Sequence, residues 1–88
     1  MVIDIRTIKE VKERIGLVCQ QNRKANDLSR DELAKALDVS PTTIHNIENG
    51  KNATLDNILK IANHFGLLTA IYNALDQFTT TDDTTSLY

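Results

Sequence analysis

Eighty-eight residues, 41% of them hydrophobic, suffice for one small domain with a modest core, and no second domain or internal repeat is visible. No apolar run approaches a membrane span, no signal peptide is seen, and the lone Cys19 excludes an intrachain disulfide or a cysteine metal cluster, so a cytoplasmic protein is expected. The formal charge is −2, yet residues 1–75 hold ten basic and nine acidic side chains, so any nucleic-acid affinity must come from local placement of charge.

In chain order, Met1 to Ile5 is apolar with one acid and reads as an arm or a short strand. A helix is predicted from about Thr7 to Lys24, with Ile8, Val11, Ile15, Val18, Cys19 and Asn22 on its 3.6-residue period. Gly16 interrupts it at a cost of about 1 kcal/mol against alanine. Ser29 is an N-cap with Glu32 three residues on, a capping box, and Leu33, Ala34 and Leu37 give the next helix its apolar face. Asp38 ends that helix because aspartate prefers turns, and Val39 plugs the corner. Ser40 caps a further helix with Pro41 at its first position, Ile44 and Ile47 facing inward, and Asn49-Gly50 closing it. Thr54 caps the next, with Leu55, Ile58, Leu59, Ala62 and Phe65 as its face, His64 in its last turn and Gly66 as its stop. From Leu67 to Phe78 a helix is favoured over a strand, with Leu68, Ile71, Leu75 and Phe78 in one stripe. Residues 79–88 are expected to be a flexible polar tail, leaving 1–78 as the domain with its extensions.

The segment from Leu28 to Lys51 has two short helices, a tight turn, and a small residue, Ala34, where the backbones approach. That is the layout of a helix-turn-helix. The stretch closely resembles the phage-repressor/Cro-type (XRE-like) helix-turn-helix family, whose pattern LSxxxLAxxLxVSxxxIxxIExG is met from Leu28 through Gly50. Its main departure is Asp38, where the family usually has glycine; aspartate tolerates that backbone better than most residues.

The resemblance implies an all-α fold, a compact five-helix bundle of lambda-repressor-like type. It places Gly16, Cys19 and Arg23 at family positions, Cys19 as a small core residue, and aligns Arg23 with the arginine that pairs with the glutamate of the second motif helix, here Glu48. The sequence alone shows only that Glu48 follows Ile47 on the inward side, where a bare carboxylate would be expensive, and two solvated charges are the bland alternative. The resemblance also implies that helix 41–49 enters the DNA major groove, with Pro41, Thr42, Thr43, His45 and Asn46 as contact positions. Asparagine can hold adenine by two hydrogen bonds and a threonine methyl can touch thymine. Proline at the leading position donates nothing, so contact there is lost or limited to apolar contact. Arg30, Asn49, Lys51 and Asn52 flank the helix as candidates for phosphates, which fix register rather than sequence.

The reading favoured is a DNA-binding regulator of transcription, repressing rather than activating, without cofactor, metal or catalytic site. Two histidines, one cysteine and scattered acids form no metal spacing and no nucleophile–base set. An interaction module that has lost its DNA face is the rival, favoured by the acidic balance and by only three basic residues from Ser29 to Lys51. Within the DNA class, an antitoxin with a toxin or other protein partner competes with a phage-type repressor and a host regulator. Leu68, Ile71, Leu75 and Phe78, flanked by Tyr72, either pack on Ile5, Ile8 and Val11 within a monomer or pair across a two-fold axis. A homodimer is favoured, because one short reading helix makes few base contacts and two-fold symmetry doubles them.

Overall fold

Each of the first four helices begins at a hydroxyl whose oxygen accepts a backbone N–H, so the boundaries are set by local chemistry before any packing. The computed structural model describes residues 5–79; the proposed N-terminal arm and the polar tail fall almost wholly outside them. Five helices and no strands occur among the described residues: α1 Ile8–Ala25, α2 Arg30–Leu37, α3 Pro41–Glu48, α4 Leu55–His64 and α5 Leu68–Asp76. Thr7 and Ser29 make full capping boxes with Glu10 and Glu32, whose carboxylates return to the cap backbone at 2.9 and 2.8 Å. Ser40 and Thr54 cap α3 and α4. The last segment is helical, which resolves the choice between helix and strand there, although the helix ends at Asp76, short of Phe78.

The turn between α2 and α3 rests on Asp38 at φ 56°, ψ 48°, the left-handed conformation in which glycine costs least. Val39 N–H then bonds Ala34 C=O at 3.0 Å and directs the chain into α3. Asp27 adopts the same conformation after α1, at φ 57°. That second left-handed aspartate carries no distinguishing signal in the sequence.

The core lies where α1, α2, α3 and α4 meet: Cys19, Leu33, Ala34, Ile44, Ile47 and Ile61 are buried, with Ile15, Leu28, Leu37, Val39, Ile58 and Phe65 packed around them. Gly16 lets α1 touch the C-terminal end of α3. A Cβ there would sit 2.7 Å from Glu48 O and closer still to Ile47 O, both backbone atoms that cannot swing away. Farther along, Gly50 holds φ +70° and lies under Glu13 of α1. So α1 runs antiparallel to α3 and the loop behind it, Gly16 facing residues 47–48 and Glu13 facing Gly50.

Two inward faces differ from those the periodicity predicts. On α1, Ile8, Val11 and Val18 are exposed, because little covers that side of the helix and only its Ile15–Cys19–Arg23 line meets the core. On α4, Leu55 is exposed at the open first turn and the buried pair is Ile61 and Ala62. Helix α5 has no buried residue, and neither it nor the start of α1 buries the other: Phe78 is 87% and Ile8 77% exposed. No helix among the described residues is long and apolar enough to cross a membrane.

Candidate nucleic-acid interface

The roll of α3 about its axis decides what it can present. Ile44 and Ile47, fully or nearly fully buried, point that helix's apolar edge into the core. Pro41, Thr42, His45 and Asn49 are consequently exposed, while Thr43 and Asn46 are half-buried. Of the six, Thr43 and Asn49 are also held locally. The Thr43 hydroxyl lies 2.9 Å from the Ser40 hydroxyl, and the Asn49 amide Nδ2 donates back to His45 C=O at 2.7 Å. Those contacts strengthen the two ends of α3, and His45 Nδ1 also lies 3.4 Å from the Asn49 amide, which leaves exposed Pro41 and Thr42 and half-buried Asn46 with side chains least engaged.

Behind this surface sits one buried carboxylate. Glu48, its side chain 1% exposed, accepts from Arg23 Nε at 2.6 Å and Arg23 Nη2 at 3.1 Å, a two-pronged pairing. Arg23 Nη1 donates to Leu28 C=O at 2.9 Å, which ties down the α1–α2 loop as well. The Arg23–Glu48 pair aligned from the sequence therefore forms, and it is buried rather than solvated. Arg30 is a third member: its Nε donates to Glu48 Oε1 at 2.9 Å. Placed in the sequence as a phosphate residue, Arg30 is half-exposed and spans both settings, one nitrogen on Glu48 and the rest of the guanidinium at the surface beside Pro41 and Thr42. Its position just after a cap gave no hint of an inward bond.

The electrostatics of this cluster follow from its geometry. Burial alone would push the Glu48 carboxyl up, but the hydrogen bonds and charges of Arg23 and Arg30 hold it below the ordinary carboxylate value. Glu48 in turn raises Arg23 above its usual value. Cys19 lies with Sγ 3.8 Å from Glu48 Oε2, and burial, followed by the Glu48 charge, pushes its thiol up to about 12. The sulfur is thus protonated at neutral pH and packs as a small core group. No group of three or more His, Cys, Asp or Glu that could hold a metal ion occurs among the described residues.

At the other end of α3, Lys51 N–H bonds Asn46 C=O at 2.9 Å, so the loop leaves the helix in a fixed direction. Lys51 and Asn52 are exposed there. Asn52 is not alone: its Oδ1 accepts from Lys12 Nζ of α1 at 2.5 Å. The sequence offered no reason to associate Lys12 with this loop, forty residues away.

A family model described as a helix-turn-helix matches residues 20–71, which run from the last two turns of α1 into α5. No curated protein matches the chain.

Proposed function

The chain belongs to the Cro-type helix-turn-helix family, and from that premise we propose that it binds double-stranded DNA sequence-specifically and represses transcription, with α3 in the major groove. The observation that carries the reading is the fixed presentation of α3. Its inward edge is locked by Ile44, Ile47 and the Glu48 cluster, while Pro41, Thr42 and His45 are exposed and Asn46 half-buried, none with a structural duty of comparable weight. Thr43 and Asn49 serve mainly the ends of the helix, and Arg30, Lys51 and Asn52 flank it as phosphate contacts.

Selection of bound sequences from random duplex DNA tests the proposal. A defined motif is expected. Asn46→Ala, shown folded by circular dichroism, should cost about 1–3 kcal/mol at the preferred site and relax one base position, whereas Lys51→Ala should weaken all sequences alike. An unchanged motif and affinity for Asn46→Ala would remove Asn46 from the reading set, and no enrichment by the wild-type protein would end the DNA reading.

We further propose that the protein acts as a homodimer through Leu68, Ile71, Tyr72, Leu75 and Phe78. Support comes from exposure: Tyr72, Leu75 and Phe78 are largely uncovered, and Ile5 and Ile8 do not cover them. Two copies would present two reading helices about 34 Å apart, one DNA turn, on a near-palindromic site.

A further inference from the structure

The contact between Lys12 and Asn52 lies outside everything the helix-turn-helix pattern explains, because Lys12 precedes the residues 20–71 that the family model matches. It belongs to the antiparallel run of α1 along α3. Gly16 meets the end of α3, Glu13 covers Gly50, and Lys12 reaches Asn52. Lys12 and Lys51 border one small recess whose apolar lining includes Ile47 and Ile58. Two lysines thereby stand at the C-terminal end of the proposed reading helix, the Lys12 ammonium held by Asn52, and neither is in an ion pair among the described residues. The acid next to them, Glu13, is one position round the helix with its Cγ over Gly50.

Toward the N-terminal end of α3 the charges are mixed. Arg30 and Lys24 border the cleft that Pro41, Thr42 and His45 form with the end of α1, but Asp31 lies there too, and Arg30 is already paired with Glu48. An eight-residue helix is about 12 Å long at 1.5 Å per residue, and the major groove is about 12 Å wide. With α3 in a groove of that width, cations carried at its C-terminal end fall beside a sugar–phosphate ridge. Lys12 is held in that position from outside the motif, by Asn52.

We infer that Lys12 is a DNA-phosphate contact, forming with Lys51 and the Asn52 amide a backbone-binding site on the strand beyond the C-terminal end of α3. The long first helix thus widens the footprint of the motif. Asn52 Oδ1 orients the ammonium, leaving its remaining N–H bonds for a phosphate oxygen. The inference rests on the DNA-binding reading and adds to it a contact that the family pattern does not contain.

The test is the salt dependence of binding to a mixed-sequence duplex, measured with the full chain. Each phosphate neutralised contributes about 0.9 to the slope of log K against log salt. Lys12→Gln should lower the slope by about that amount and weaken binding roughly five- to tenfold near 0.1 M salt, with Lys12→Arg restoring both. A wild-type slope for Lys12→Gln overturns the inference while leaving the DNA reading intact; absence of duplex binding by the wild-type protein at any salt overturns both. A measurement on the unsubstituted chain guards against a variant that misfolds. Amine acetylation read by mass spectrometry should show Lys12 and Lys51 protected by the duplex and Lys60, exposed on α4, unprotected. Lys12 modified equally with and without DNA overturns the inference.

Discussion

Glu48 and Tyr72 stand at the centres of two regions built in contrary ways. Around Glu48, residues from α1, α2 and α3 converge on one carboxylate: Arg23 and Arg30 donate to it, Cys19 packs beside it, and Gly16 clears the space for the backbones to meet. Around Tyr72, a nine-residue helix has no fully buried residue and begins without a side-chain cap. A helix so short is marginal alone, and most helical stability comes from packing an apolar face. The contrast separates a framework that fixes the geometry of α3 from an appendage whose apolar face is exposed. Substitutions in the first region should therefore act on folding, and in the second on assembly.

The largest effect should come from Glu48→Ala. It leaves Arg23, 7% exposed, as a buried charge with no carboxylate, and losses of this kind cost about 3–5 kcal/mol. Arg23→Ala should cost less, because Arg30 still neutralises Glu48, and the double variant should fall well short of the sum. Denaturant unfolding of the three variants checks this; small additive effects would reduce the cluster to ordinary surface charge. Next in size is Gly16→Ala. Its methyl would collide with backbone atoms of Ile47 and Glu48, so α1 and α3 must separate, at about 1–3 kcal/mol, against the gain of about 1 kcal/mol expected for that change in an unobstructed helix. A stabilised Gly16→Ala protein would show that the close approach is not required.

Acid should act through the same carboxylate. Glu48 has its folded pKa below the ordinary glutamate value of about 4.3, so it binds fewer protons when folded than when unfolded. Its stabilising contribution is complete above that value and is lost as pH falls through the folded pKa. Glu10 and Glu32 are shifted the same way by the backbone and hydroxyl of their caps. Glu48→Gln isolates the cluster: melting temperatures of the wild type and variant should converge as the solution is acidified below about pH 4, and a constant gap would assign the acid sensitivity to the caps.

How legible these regions are in the sequence differs for physical reasons. Ser29, Ser40, Pro41, Asp38 and Gly50 announce α2, the turn and α3, because caps and left-handed turns depend on residues only a few positions apart. The Arg23–Glu48 pair is reachable only through family register, since twenty-five residues separate its members. Arg30 on Glu48 and Lys12 on Asn52 are not reachable: one depends on how two helices are rotated and the other on where a loop passes a helix, which periodicity leaves undetermined. The same limit explains Ile8, Val11 and Leu55. Periodicity gives a helix an apolar face but does not say whether anything lies over it, and among the described residues these three side chains stay exposed.

The smallest effect on the folded monomer, and the sharpest test of the comparison, should come from Ile71→Asp with Leu75→Asp. Leu75 is 62% exposed and Ile71 only half-buried, so the pair removes little core, and surface substitutions usually stay within about 0.5 kcal/mol each. If α5 is the dimer surface, the apparent stability of the wild type contains the free energy of association and rises with protein concentration, because the partner binds only the folded state. Placing four carboxylates across a two-fold axis would abolish that term. The variant should give a monomer mass by light scattering, a melting temperature independent of concentration, and weaker binding to a palindromic site than to be expected from its intact α3. A wild-type protein that is monomeric at high concentration, and that grips a single half-site as tightly as the palindrome, would instead make α5 a surface with no role in assembly.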